Sequence, residues 1–221
     1  MRKTVRTGLD LIVSGWPRKL EGTRIGLLVH PASVTRNLHH AVSVCLRSKK
    51  FRLTALFGPQ HGIRGETQDN MVEWTGFRDG NTGLPVYSLY GEVRQPSQEM
   101  LRDIDVMVVD LQDIGSRYYT FIWTLALVMI SCRDAGKPVV VLDRPNPIGG
   151  SLAEGPVLDM DYSSFVGLYP IPVRHGMTIG EIALFLKSFN PGLELSVITM
   201  KGWKRRMWFE DTGLPWVLPS P

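Results

Sequence analysis

Short apolar runs separated by amphipathic stretches dominate the hydrophobic pattern of this chain. Five of them are rich in β-branched or large apolar residues and lack polar alternation: residues 24–30, 52–57, 84–89, 105–110 and 138–143. A sixth run, residues 193–199, does alternate. Continuous apolar runs are typical of strands buried on both faces of a parallel sheet. The pattern therefore predicts six strands in a mostly parallel sheet.

Helical stretches are predicted between these strands, at residues 38–48, 97–103, 118–135 and 178–189. Thr178 and Glu181 have the spacing of a capping box, which favours a structural role for Glu181 over a catalytic one. Strands that alternate with helices indicate an α/β fold with helices on both faces of the sheet, of the Rossmann-like kind.

The last residues of the chain lack this periodicity. Residues 202–221 contain several aromatic residues and prolines without a helical or strand pattern. We therefore predict a Rossmann-like domain over residues 1–201, followed by an extended tail or by the beginning of a smaller C-terminal subdomain.

Composition narrows the function classes. The net charge of +4 arises from 25 basic and 21 acidic residues that are mostly scattered, which suits an anionic small ligand but not nucleic acid. Cys45 and Cys132 lie in predicted helices and are expected to be reduced, buried thiols. The N-terminus lacks a secretory pattern, and the longest apolar run, residues 121–132, is too short to cross a bilayer. The sequence thus predicts a cytoplasmic protein without membrane insertion, and it leaves homo-oligomer formation open.

Polar, glycine- and proline-rich turns follow the predicted strands. They include His30, residues 58–66, Asp110 with Asp113, and Asp143 with Arg144 and Asn146. Because the carboxyl ends of parallel strands meet at one edge, where open α/β sheets bind ligands, a site is expected there. The first turn lacks the Gly-x-Gly-x-x-Gly pattern and no Walker motif occurs, which argues against a nucleotide.

Several carboxylates are candidates for catalysis. Glu66 lies in a loop with three glycines and becomes a general acid or base if burial raises its pKa. Glu154 follows the fifth strand and is a second loop carboxylate of the kind that glycosidases pair. A carboxylate at the end of a buried strand, such as Asp110 or Asp143, either binds ligand or anchors a loop, and both roles stay open.

Basic candidates accompany these carboxylates. Arg117, Arg144 and Arg174 are suited to pair with the aspartates or to clamp a substrate carboxylate. His30 and His175 are as well explained by a buried structural role as by a site. His39 and His40 are predicted on the surface of a helix.

A series of long motifs resembles the NamZ-type exo-β-N-acetylmuramidase family. The motifs occupy residues 58–66 (GPQHGIRGE), 82–91, 105–120, 141–147, 172–181 and 212–221. The resemblance implies a peptidoglycan glycoside hydrolase that removes N-acetylmuramic acid from the non-reducing end, with no metal or organic cofactor. It also implies a cleft that is shared with a smaller C-terminal subdomain. Some members of the family are expected to be exported.

Motif matching assigns catalysis first to Glu66, with His61 and Asp110. The residues expected to bind the sugar are Gln60, Arg64, Asp113, Arg117, Tyr118, Asp143, Arg144, Asn146, Glu154 and His175. One departure bears on activity: relatives carry Pro-Glu-His-Gly where this chain has Gln60. Two alternatives therefore stay open, a catalytically impaired sugar-binding module and an unrelated α/β enzyme for an anionic metabolite.

Overall fold

The computed structural model describes residues 5–65, 67 and 72–220. The strands are β1 Arg24–Val29, β2 Arg52–Gly58, β3 Phe77–Arg78, β4 Pro85–Ser88, β5 Val106–Asp110, β6 Val139–Leu142, β7 Glu154–Val157, β8 Pro172–Arg174 and β9 Leu195–Ile198. The α-helices are α1 Gly8–Gly15, α2 Ala41–Leu46, α3 Gln98–Leu101, α4 Phe121–Asp134 and α5 Ile179–Lys187. Short 3-10 helices lie at Arg18–Leu20, Met160–Tyr162 and Phe209–Thr212.

Seven strands form the main sheet, in the order β3-β4-β2-β1-β5-β6-β9. All neighbours are parallel except β3 and β4. The chain builds outward from β1 to β2 and β4, and then returns to add β5, β6 and β9 on the other side. This confirms the predicted α/β fold. It also places the topological switch point between β1 and β5, where Val29 pairs with Asp110.

Two apolar clusters cover the two faces of the sheet. On one face, Leu28, Met107 and Val139 pack with α4 and α5. On the other face, Leu27, Val108 and their neighbours pack with α1 and α2. Successive strand residues face opposite sides of the sheet, and both sides are buried, which explains why the strand sequences are apolar throughout. Most of α4 is buried, including Cys132, which agrees with its weak amphipathic pattern.

Elements at the margins of the sheet differ from the prediction. Helix α1 was not predicted, although Thr7 and Asp10 form a complete capping box at its start. The predicted helix 38–48 is shorter, because Leu38 has a φ of +62°, which no helix accommodates. His40 consequently is not a surface residue within a helix but the N-cap of α2, where its ring accepts a hydrogen bond from the Val42 amide.

A two-stranded antiparallel hairpin, β7 with β8, lies outside the main sheet. Glu154 therefore begins a strand, and its predicted position in a loop is wrong. Strand β7 is exposed and β8 is partly buried, and neither carries hydrophobic alternation, so the sequence offered no strand signal.

The chain beyond β9 packs back onto the domain. Lys201 pairs with Arg6, the Val5 amide donates to the Thr212 carbonyl at 2.9 Å, and the Phe209 amide donates to the Pro147 carbonyl at 2.9 Å. Among the described residues, none of the helices has the length and apolar character that a membrane span requires.

Candidate functional site

Asp110 occupies the carboxyl end of β5 at the switch point, and Arg144 binds both of its carboxylate oxygens. The Arg144 Nε lies 2.6 Å from Oδ1, and Nη2 lies 2.8 Å from Oδ2. Both side chains are buried. Nη2 also donates to the Val34 carbonyl at 3.0 Å. The ion pair thus joins the segments that follow β1, β5 and β6, which favours a positioning role for Asp110 over direct proton transfer.

His30 follows β1 and is held by the backbone on both ring nitrogens. Nε2 accepts from the Gln112 amide at 2.9 Å, so the proton lies on Nδ1, which is 3.2 Å from the Pro219 carbonyl. Burial lowers the pKa of His30 to about 3 and keeps the ring neutral. Pro219 belongs to the C-terminal segment, which therefore covers part of the switch point.

Asp113 and His175 form a second buried pair at this edge. Asp113 Oδ2 accepts from His175 Nε2 at 3.0 Å and from the Gly115 amide at 2.6 Å. The Met177 amide donates to His175 Nδ1, which places the ring proton on Nε2. Within the described part of the chain, the buried Asp113 Oδ1 has no hydrogen-bond partner. A desolvated acceptor of this kind suits a ligand or water donor.

The loop after β2 has an unusual backbone. His61 has a φ of +69°, and Gly62 and Gly65 also lie in the left-handed region. A non-glycine residue in that region costs on the order of 1 kcal/mol, and such strain clusters at functional sites. Trp74 fixes the start of the loop, because its Nε1 donates a hydrogen bond to the Pro59 carbonyl at 3.1 Å.

Gln60 connects this loop to the start of α4. Its side chain is buried, and its Oε1 accepts a hydrogen bond from the Thr120 hydroxyl at 3.1 Å. The His61 ring nitrogen Nδ1 lies 3.1 Å from the Thr67 carbonyl. The segments after β2 and β5 are therefore joined across the switch point. Glu66, the first catalytic candidate, lies outside the described residues.

Other candidates are engaged in holding neighbouring segments. Asp143 Oδ1 accepts from the Gly180 amide at 2.9 Å at the start of α5, and burial raises the pKa of Asp143 to about 6. Asn146 donates to the Met177 carbonyl at 2.9 Å and accepts from the Ile148 amide at 3.1 Å. Both side chains lie at the carboxyl edge and fix the loops that form it.

Three predicted residues lie apart from the buried pairs at the switch point. Arg117 Nη1 donates to the carbonyls of Pro156 and Ile171, at 2.9 and 2.8 Å. Glu154 is exposed and pairs with Arg174. Tyr118 is 61 % exposed. None of these contacts involves Gln60, Asp110 or Asp113.

Sequence reasoning missed Asp79 and Ser33, which hold predicted site residues in place. Arg64 forms an ion pair with Asp79, which is fully buried. Asp79 Oδ1 also accepts from the Asn81 and Thr82 amides, and the D-G-N-T-G run around it has the composition of such a turn. Ser33, which donates to the Asp110 carbonyl at 2.5 Å, gave no signal.

Comparison with known proteins identifies the family of this chain. The family described as "Exo-beta-N-acetylmuramidase NamZ, N-terminal" matches residues 25–221. The chain belongs to the NamZ family. It is 50 % identical over 218 residues to the peptidoglycan beta-N-acetylmuramidase NamZ of Bacillus subtilis (strain 168), covering 98 % of this chain and 52 % of that protein.

Two solved structures share the fold of this chain. A DUF1343 family protein of Bacteroides fragilis NCTC 9343 matches all of this chain and 56 % of its own, with a TM-score of 0.89 and 42 % identity. A second protein of that family and strain matches 93 % of this chain and 54 % of its own, with a TM-score of 0.77 and 31 % identity. The chain thus spans about half the length of the relatives it matches. Among the described residues, no three His, Cys, Asp or Glu side chains converge as a metal site.

Proposed function

We propose that this protein takes part in the hydrolysis of peptidoglycan fragments, releasing N-acetylmuramic acid from their non-reducing ends. The observation that carries the proposal is the 50 % identity to a peptidoglycan beta-N-acetylmuramidase along 98 % of the chain. The polar cluster at the switch point supports it, because open α/β sheets bind ligands there. A cytoplasmic location and homo-oligomer formation stay predictions from the sequence.

In this proposal the strained loop of residues 58–65 lies beside the sugar. Glu66 supplies the catalytic carboxylate, and His61 and Gln60 contact the sugar from the same loop. Asp113 accepts a donor from the ligand through Oδ1, since His175 and the Gly115 amide already orient Oδ2. Asp110 and Arg144 hold the loops in register. Asp143 and Asn146 contribute to the walls, while sugar binding by Arg117, Tyr118 and Glu154 stays a prediction from the sequence.

A second candidate function is sugar binding without turnover. Gln60 favours it, because an amide at this position of the loop is buried beside Thr120 and cannot exchange a proton. The chain also spans only about half the length of the relatives it matches.

Turnover of a chromogenic N-acetylmuramide separates the two functions. We expect hydrolysis by the wild type and a loss of at least about 100-fold in Glu66→Gln, because a general acid typically contributes that much. The Gln60→Glu variant is measured beside it, together with calorimetric binding of N-acetylmuramic acid. Sugar binding without turnover, and turnover gained only in Gln60→Glu, would establish the binding module instead. Activity that survives Glu66→Gln would remove Glu66 from its role.

A further inference from the structure

An open groove of about 530 Å³ lies beside the strained loop, between that loop, α2 and the turn after β3. Pro31, Val42 and Ile63 provide apolar wall, and Ser43, Arg64 and Asn81 provide polar groups. Among the described residues that line the groove, none is a carboxylate. The described lining of the groove is therefore partly apolar and partly polar, and the charged side chain in it is positive.

Arg64 is that cation, and it is fixed in place. Its ion-pair partner Asp79 is fully buried, while 51 % of the Arg64 side chain remains exposed. Asp79 is fixed in turn by the Thr82 amide at 2.8 Å and the Thr82 hydroxyl at 2.9 Å. A guanidinium that is oriented beforehand loses less side-chain entropy when it binds an anion.

His40, which also lines the groove, adds no charge to it. Its Nδ1 accepts from the Val42 amide at 3.3 Å, and Nε2 lies 3.1 Å from the His30 carbonyl. Both ring nitrogens are therefore committed to the backbone. Burial lowers the pKa of His40, which keeps the ring neutral.

We propose that this groove binds a carboxylate of the ligand, with Arg64 as its counter-ion. The inference rests on the proposed function, because it takes the sugar to lie on the adjoining loop of residues 58–65. N-acetylmuramic acid carries a lactyl carboxylate, and a muramoyl peptide carries the carboxylate of its amino acid instead. The two sources share one chemistry, and both fit a groove that combines an arginine with apolar walls.

A charge placed in the groove tests the proposal without disturbing Arg64. Ser43 is exposed on α2 and lines the groove, so Ser43→Asp adds one negative charge there, and Ser43→Asn is its neutral match. Arg102→Gln makes the same change in net charge at an exposed residue after α3, whose Leu101 packs on the opposite face of the sheet. Circular dichroism checks that each variant is folded.

The probes are N-acetylmuramic acid, its methyl ester and N-acetylmuramoyl-L-alanine, with dissociation constants from calorimetry. We expect Ser43→Asp to weaken binding of the acid at least about fivefold relative to Ser43→Asn. The added carboxylate repels the carboxylate of the ligand within the same groove. The methyl ester should be unaffected, and Arg102→Gln should leave all three constants unchanged. A charge effect confined to the alanine compound would assign the groove to the peptide carboxylate.

D-lactate provides an arm that does not depend on the sugar. Its binding should shift the amide NMR signals of residue 43 and of Asn81 in the wild type, and should not shift them in Ser43→Asp. Equal affinity for acid and ester, with no lactate shifts, would overturn the carboxylate site even if muramide turnover is observed. Lactate shifts without any sugar binding or turnover would retain the site and overturn the proposed function.

Discussion

At the scale of single residues, the carboxylates of this edge differ in what they do although they look alike in sequence. Asp110 gives both oxygens to Arg144, Asp143 caps the start of α5, and Asp113 keeps one buried oxygen unpartnered within the described chain. The sequence placed all three at strand ends and left ligand binding and loop anchoring as alternatives. Only the partner of each oxygen distinguishes these roles.

Asp143 should give a characteristic pH dependence. Its pKa is raised from 3.8 to about 6 by burial, so the folded state binds more protons than the unfolded state between these values. The stability contributed by Asp143 is therefore present below about pH 4 and is lost as the pH rises through about 6. Asp143→Asn should gain stability relative to wild type over that range, by up to about 3 kcal/mol. Urea unfolding at pH 4, 5, 6 and 7 measures it.

Asp105→Asn serves as the control with the opposite sign. The hydrogen bond from Arg24 lowers the pKa of Asp105, so its contribution is present at neutral pH and is lost in acid. Relative to wild type, this variant should lose stability as the pH rises. A profile for Asp143→Asn that runs parallel to that of Asp105→Asn would contradict the raised pKa.

At the scale of elements, the strands were easier to predict than their surroundings. Five parallel strands and the sixth, alternating strand were predicted because burial on both sheet faces leaves a continuous apolar run. Helix α1 was missed because its capping box has Asp10 at the third helical position, where the usual pattern has glutamate or glutamine. It packs so closely against the sheet that its first residue must be glycine.

Gly8→Ala tests that close packing. A Cβ at Gly8 would lie 2.6 Å from the Ile198 carbonyl oxygen and 2.7 Å from the Leu142 carbonyl carbon, both of them backbone atoms. Since backbone cannot move aside as a side chain does, we expect the variant to lose about 2 kcal/mol of unfolding free energy. Gly80→Ala is the matched control, because nothing lies within 4 Å of its Cβ position. Similar thermal midpoints for both variants would show that α1 can shift.

At the scale of the whole molecule, the sheet order brings together segments that are distant in sequence. Arg144 follows β6, yet it binds Asp110 at the end of β5 and the Val34 carbonyl after β1. The chain beyond β9 returns to the same point through Pro219 and His30. One ion pair thus stabilises the edge on which the proposed function depends.

Arg144→Met should show how much the Arg144–Asp110 ion pair contributes to the free energy of unfolding. The substitution leaves the Asp110 carboxylate buried and uncompensated, which typically costs about 3–5 kcal/mol. Chemical denaturation at neutral pH measures the loss. Arg24→Met breaks a partly exposed pair with Asp105 and should cost far less. If the double variant Arg144→Met, Asp110→Leu recovers none of the loss, the buried charge is not its cause.

The sequence by itself determined the α/β class, the parallel strands and the edge at which the polar residues gather, because hydrophobic periodicity records burial locally. It also identified the Thr178–Glu181 capping box, whose two groups are three residues apart. Only the tertiary structure decided which arginine meets which aspartate, that Asp79 fixes Arg64, and that Pro219 reaches His30. Those contacts join segments separated by up to 189 residues. Their partners are set by strand order and loop conformation, which no local pattern of residues encodes.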